Sequence, residues 1–221
     1  LGTSCAVSGT GFFFSRRILE KNGGWKFHLL TEDIEFTVHN IINGEKVGFC
    51  PKAVLYDEQP ISFRQSCRQR MRWAKGYIQV FQKYGVDLLK GALRGNFSCF
   101  DMAMAIMPAV VLTTICVLVN SVMSVLTLAS GGSILPILLS VGQSVLNVYL
   151  TLFAVGAITT VTEWKNIAAS AWKKIFYAFT FPLFMLTYIP ISFAALFAHV
   201  EWKPIEHSVS VSCEELWREG A

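Results

Sequence analysis

From Met102 to Thr162 the sequence has no Asp, Glu, Lys, Arg or His, 61 residues in succession. No water-soluble core runs that far without a charge, so the second half of the chain is expected to be embedded in a membrane. Metal-binding spacing is lacking too. The six cysteines (Cys5, Cys50, Cys67, Cys99, Cys116, Cys213) include no C-x-x-C pair and no zinc spacing with the four histidines. They read as reduced, apolar fillers. Position 1 is Leu rather than Met, and no signal peptide precedes it, so the sequence is expected to open in mid-domain.

Charge is concentrated in the first part. Residues 1–100 carry 14 Lys and Arg against 8 Asp and Glu, whereas residues 101–221 carry 5 against 7. In the basic part, "GTGFFFSRRILEKNGGW" reads as a Gly-rich turn, an apolar strand and a short helix from Ser15 that Gly23 and Gly24 end. "TEDIEFTVHNIINGEK" reads as a second helix, capped by Thr31, buried along Ile34, Val38, Ile41 and Ile42, and stopped at Gly44. "VGFC" and "AVLY" read as short strands, and a basic amphipathic helix is expected from Ile61 to about Tyr84. Alternating strands and helices suggest an α/β fold for residues 1–85.

Residues 86–200 read as an α-helical transmembrane region with three spans, at 101–126, 134–161 and 175–200, before a tail at 201–221. Each span has 26 to 28 residues, or about 40 Å of helix, enough to cross a bilayer with some tilt. Lys83, Lys90 and Arg94 precede the first span, and Lys165, Lys173 and Lys174 separate the second from the third. By the positive-inside rule the α/β part and the 162–174 loop are expected in the cytoplasm, with the tail outside. Pro182 and Pro190 are expected to kink the third span. Apart from Asp101 and His199 at their ends, no acid or base lies in the spans, which argues against ion coupling. Asn120, Gln143 and Asn147 would either line a path or bond between helices.

Three short motifs are candidates for chemistry, and each has a plainer reading. Glu32 and Asp33 after Thr31 suit a helix's positive end, yet a carboxylate there can also take a proton from a sugar hydroxyl. Gln69, Arg72 and Trp73 share one helical face: Arg offers a planar fork to phosphate oxygens, Gln an amide donor and Trp a flat ring for a sugar. The same face would equally serve an interfacial helix, with Arg68, Arg70 and Lys75 on lipid headgroups and Trp73 as an anchor. Gly9-Thr10-Gly11 either lets backbone approach a ligand or forms a tight turn.

In order, "TED" (Thr31-Glu32-Asp33), then "QRMRW" (Gln69-Arg70-Met71-Arg72-Trp73), then apolar spans, the sequence resembles the processive, membrane-embedded family 2 glycosyltransferases. That family includes the cellulose, chitin, hyaluronan and poly-N-acetylglucosamine synthases. "SGTGFFFSRRIL" resembles the family's stretch around the acceptor sugar, and "AVLYDEQPISFRQSCRQRMRWAKG" its run from strand to helix. The resemblance implies the C-terminal part of a GT-A-type domain. It makes Asp33 the general base, with Glu32 beside it. Gln69 and Arg72 would hold the diphosphate of a UDP-sugar. Trp73, Gly9, Thr10 and Gly11 would meet the acceptor, with Thr31 and Arg70 in support. The family's first Asp and its D-x-D motif are expected before Leu1, with the Mg²⁺ or Mn²⁺ they hold, so this chain alone is expected to be inactive and to hold no metal.

The implied reaction is inverting transfer of a sugar, N-acetylglucosamine by preference, to a growing β-linked polysaccharide coupled to export. The implied location is the plasma membrane, multi-pass, with the catalytic part cytoplasmic. Expected partners are the UDP-sugar, the polysaccharide, the lipid bilayer and an accessory export subunit, and no nucleic acid. Two other readings stand beside it: a non-processive enzyme acting on a membrane lipid, and a membrane transporter or sensor without enzymatic activity.

Overall fold

A computed structural model describes residues 3–53, 55, 57–107 and 109–201. Among the described residues eight helices follow one another: α1 (Arg16–Lys21), α2 (Glu32–Ile42), α3 (Phe63–Leu93), α4 (Phe97–Ile106), α5 (Ala109–Ala129), α6 (Leu135–Thr162), α7 (Ala171–Leu186) and α8 (Tyr188–Phe197). They fall into two compact units, one of Leu1–Met107 with Ala195–Ala221 and one of Pro108–Ala194.

In the first unit α1 and α2 end before the expected glycines. The basic helix runs further than its periodicity predicts. After Tyr84 the sequence "GVDLLKGALRG" offers helix formers and no proline, and the chain turns only at Gly95, whose φ of 83° is left-handed. Ile34, Val38 and Ile41 of α2, Val80 and Leu88 of α3, and Cys99, Met102, Ala103 and Ile106 of α4 make one buried cluster. A smaller cluster joins Val7, Ile18, Phe27 and Phe36. The expected stripe of α2 is therefore the core stripe.

The strands differ from expectation. Among the described residues none is assigned, and Val54 and Tyr56 of "AVLY" lie outside them. A strand requires a ladder of backbone bonds to a neighbour. Residues 4–7 run beside 45–47, but the backbone bond joining them is a single one, Cys5 N–H to Val47 C=O at 3.1 Å. Ser4 Oγ, 3.4 Å from Val47 N, takes the place of a second rung.

The segment expected as the first span is divided, because residues 101–106 belong to α4 and Met107 leaves the helical region at ψ 115°. Met107 precedes Pro108, whose ring disfavours the α conformation in the residue before it. Met102, Ala103 and Ile106 are buried in the first unit rather than set along a span. Among the described residues two helices are long and apolar enough to cross a membrane: Leu135–Thr162, of 28 residues, and Ala171–Phe197, of 27. Only 6% and 22% of their most apolar windows are buried. Outward-facing apolar side chains of that extent suit lipid better than water.

α7 and α8 meet at a break at Thr187. Pro190 lacks the N–H that Leu186 C=O would accept, which accounts for it. Within the second unit α6 and α7 pack closely: Phe153 and Phe179 have ring centroids 4.7 Å apart, and Tyr149 Oη donates to Phe179 C=O at 3.0 Å, in the turn before Pro182. Gln143 and Asn147 bond to each other along α6 at 2.8 Å rather than to another helix. From residue 202 the expected tail lies outside the described residues.

Candidate functional site

The acidic turn is held from both sides. Thr37 Oγ1 accepts Val7 N–H at 3.0 Å and donates to Asp33 C=O at 2.8 Å, so the segment leading into the glycine turn is tied to the first turns of α2. Gly9 then passes beside the Asp33 carboxylate, and a Cβ at Gly9 would stand 3.5 Å from Oδ2. Gly11 carries a φ of 71°, a conformation L side chains rarely adopt. Gly9, Thr10 and Gly11 are all exposed.

Asp33 and Glu32 are half-buried at the start of α2, and Asp33 Oδ1 accepts Ile34 N–H at 2.8 Å. Burial pushes the Asp33 carboxyl above its ordinary range and the neighbouring Glu32 adds to this, while the Ile34 N–H and the field of the Arg72 guanidinium pull the other way.

The opposite wall is α3, and its approach rests on residues the motifs do not include. Gln69, Arg72, Gly76, Gln79 and Lys83 recur at i, i+3, i+7, i+10 and i+14, one face of the helix. Arg72 lies within the electrostatic reach of Asp33. A Cβ at Gly76 would stand 2.5 Å from Thr31 Cγ2. Gln79 Oε1 accepts Leu30 N–H at 3.3 Å, and Lys83 Nζ donates to Glu35 Oε1 at 2.6 Å. The stripe thus runs along residues 30–35.

Glu35 is the strongest tie. Its side chain is buried, Oε2 accepts from His28 N at 2.9 Å and Leu29 N at 3.0 Å, and Oε1 accepts Tyr84 Oη at 3.2 Å besides Lys83. Burial alone would raise this carboxyl. The Lys83 ammonium and the two backbone N–H groups outweigh it and hold the group below its ordinary value. Two acids two residues apart are thus driven in opposite directions.

The structure brings Gly9, Thr31, Asp33 and Arg72 to one neighbourhood. Gln69, Arg72 and Trp73 are half-buried on α3, and among the described residues neither Gln69 nor Arg72 has a hydrogen-bond partner and Trp73 has no ring partner. Nothing described ties Trp73 to the glycine turn. Arg70 departs from the expectation that it meets lipid headgroups. It is 2% exposed, donates to Ser66 C=O at 3.4 Å and stands 5.6 Å from the Phe63 ring centre. Cys99 is a buried filler as expected, but Cys50 is exposed; Cys5, Cys50, Cys67 and Cys99 are free of disulfides. Sequence reading missed Glu35, Gly76, Gln79 and Lys83, for which the one available signal was the heptad-like spacing from Gln69.

Among the described residues no three His, Cys, Asp or Glu side chains converge. Asp33 lies in the field of the Arg72 guanidinium, and the steps below use this chain's own residues.

Asp33, a half-buried carboxylate, thus lies in the field of Arg72, and Gln69 and Arg72 have no hydrogen-bond partner among the described residues. The model of the glycosyl transferase family group 2 matches residues 1–200, and the chain belongs to that family. Among curated proteins, a probable glycosyltransferase, YdaM, of Bacillus subtilis is 36% identical over 96 residues, 43% of this chain and 22% of its own length. A UDP-forming cellulose synthase of Dictyostelium discoideum, in its catalytic polypeptide, is 24% identical over 105 residues, 48% of this chain and 10% of that one. A beta-monoglucosyldiacylglycerol synthase of Synechocystis is 30% identical over 78 residues, 35% of this chain and 16% of its own. The chain thus spans less than a quarter of the length of these relatives. No solved structure matches it.

Proposed function

We propose that this chain carries the acceptor and leaving-group side of a sugar-transfer site that extends a β-linked polysaccharide from a UDP-sugar. Asp33 takes the proton of the acceptor hydroxyl as its oxygen attacks the anomeric carbon. The bond from that carbon to the diphosphate breaks and UDP departs, inverting the centre. Gln69 and Arg72 hold the diphosphate and balance the charge that grows on it. Glu32 flanks the base, Trp73 and the Gly9-Thr10-Gly11 turn meet the acceptor, and Thr31 and Arg70 support the helices that carry them. The observation behind this reading is the pair of half-buried donors, Gln69 and Arg72, without protein partners among the described residues and with Arg72 in reach of Asp33.

The donor we propose is UDP-N-acetylglucosamine. The helices Leu135–Thr162 and Ala171–Phe197 cross the plasma membrane and receive the polymer for export, with residues 1–85 on the cytoplasmic side; the charge bias and apolar lengths support this. In the full-length protein, Asp33→Asn abolishes polymer formation while UDP still binds. Near-normal turnover in that variant removes Asp33 as the base. The likeness to a glycolipid synthase keeps a second reading open, transfer of one sugar to a membrane lipid. Product size separates the two.

A further inference from the structure

We propose that Gly76 is a positioning residue for sugar transfer: its missing side chain lets α3 close on Thr31 and sets the separation of Arg72 from Asp33. This rests on the reading of Asp33 as base and Arg72 as diphosphate holder. Gly76 is buried one turn after Arg72, in the middle of a 31-residue helix where Ala would form helix better. A Cβ there would stand 2.5 Å from Thr31 Cγ2, 2.6 Å from Oγ1 and 3.0 Å from Cβ.

Thr31 cannot easily retreat. It is 5% exposed, β-branched, and its carbonyl accepts Glu35 N–H at 3.0 Å in the first turn of α2. Its Oγ1 is buried without a hydrogen-bond partner, so nothing polar dictates this contact and close approach alone describes it. On the far side of Gly76, α3 is pinned by Gln79 on Leu30 and Lys83 on Glu35. Toward its other end, neither Gln69 nor Arg72 has a hydrogen bond to α2 among the described residues. Restoring ordinary carbon contact of about 3.5–4.0 Å therefore lifts the Arg72 end by about 1 Å. A displacement of that size in a reacting arrangement costs on the order of a hundredfold in rate.

The test is a double-variant cycle in the full-length protein, read as turnover against pH and as UDP affinity. Gly76→Ala is expected to lower kcat roughly tenfold to a hundredfold. It should also move the acid limb of the pH profile upward, because Arg72 no longer favours the Asp33 carboxylate against burial and Glu32. In a Thr31→Ala background, with Oγ1 and Cγ2 gone, the same change should cost at least fivefold less. Equal losses in both backgrounds, or an unmoved acid limb, overturn the proposal. If Gly76→Ala alone does not fold, the double variant is compared with Thr31→Ala, and a loss above tenfold in both turnover and UDP affinity overturns it. Asp33→Asn, assayed in parallel, separates the failures. An active Asp33→Asn removes the base reading, whereas an inactive one beside a normal Gly76→Ala removes only the positioning role.

Discussion

In the unit that ends at Met107, α2 and α3 meet through an ion pair, a side-chain amide and a glycine, with Glu35 buried among four donors. In the unit of Pro108–Ala194, α6 and α7 meet through rings and a glycine, with one hydroxyl bonded to a backbone carbonyl. The first arrangement specifies register, since Glu35, Gln79 and Lys83 reach their partners in a single alignment of the helices. The second tolerates sliding, because apolar contacts are non-directional. A site that must keep a base a fixed distance from a diphosphate belongs on the first kind of scaffold.

Removing the polar tie should have the largest effect. Glu35→Gln puts an amide where Lys83, 51% exposed, needs a carboxylate, and is expected to cost about 2–3 kcal/mol in a denaturant melt of the first unit within the full-length protein. The pH dependence sharpens this. Glu35 has a folded pKa below its free value of 4.5, so its contribution is complete above that value and is lost as pH falls below it. The variant should lack that acid-side loss. Asp33 runs the opposite way: its raised pKa leaves the native state binding more protons, so its ionised form costs stability as pH rises. Asp33→Asn is therefore expected to be neutral or stabilising while ending turnover.

In the second unit, Gly156→Leu is expected to cost about 1–3 kcal/mol by overpacking, since a Cβ there already stands 2.9 Å from Phe181 Cδ1. Thermal unfolding in detergent would read it. Tyr149→Phe removes one hydrogen bond to Phe179 C=O and should cost only about 0.6 kcal/mol. If it cost more than Glu35→Gln, the contrast between the two units would fail.

Much of the helical frame was legible. The stripe of Ile34, Val38 and Ile41 and the terminating glycines place α2 from spacing alone. The strand expected at "GFFF" is not assigned, because an apolar run signals burial but cannot show whether a partner edge completes a ladder. The motifs marked Asp33, Gln69 and Arg72, yet Glu35 looked like one more acid in a helix's first turn. Its partners Lys83 and Tyr84 lie 48 and 49 residues away, beyond any local pattern. Arg70 was misplaced for a related reason: in a run of cations, nothing local tells the one that turns inward.

The decisive quantity is the affinity of the full-length protein for UDP with Arg72 changed to Ala, by calorimetry at fixed ionic strength. Loss of a guanidinium on the diphosphate predicts binding weakened at least tenfold, in line with about 1.5–3 kcal/mol for a charge-assisted bond. Unchanged affinity would contradict the assignment of the Gln69–Trp73 helix to the nucleotide-sugar.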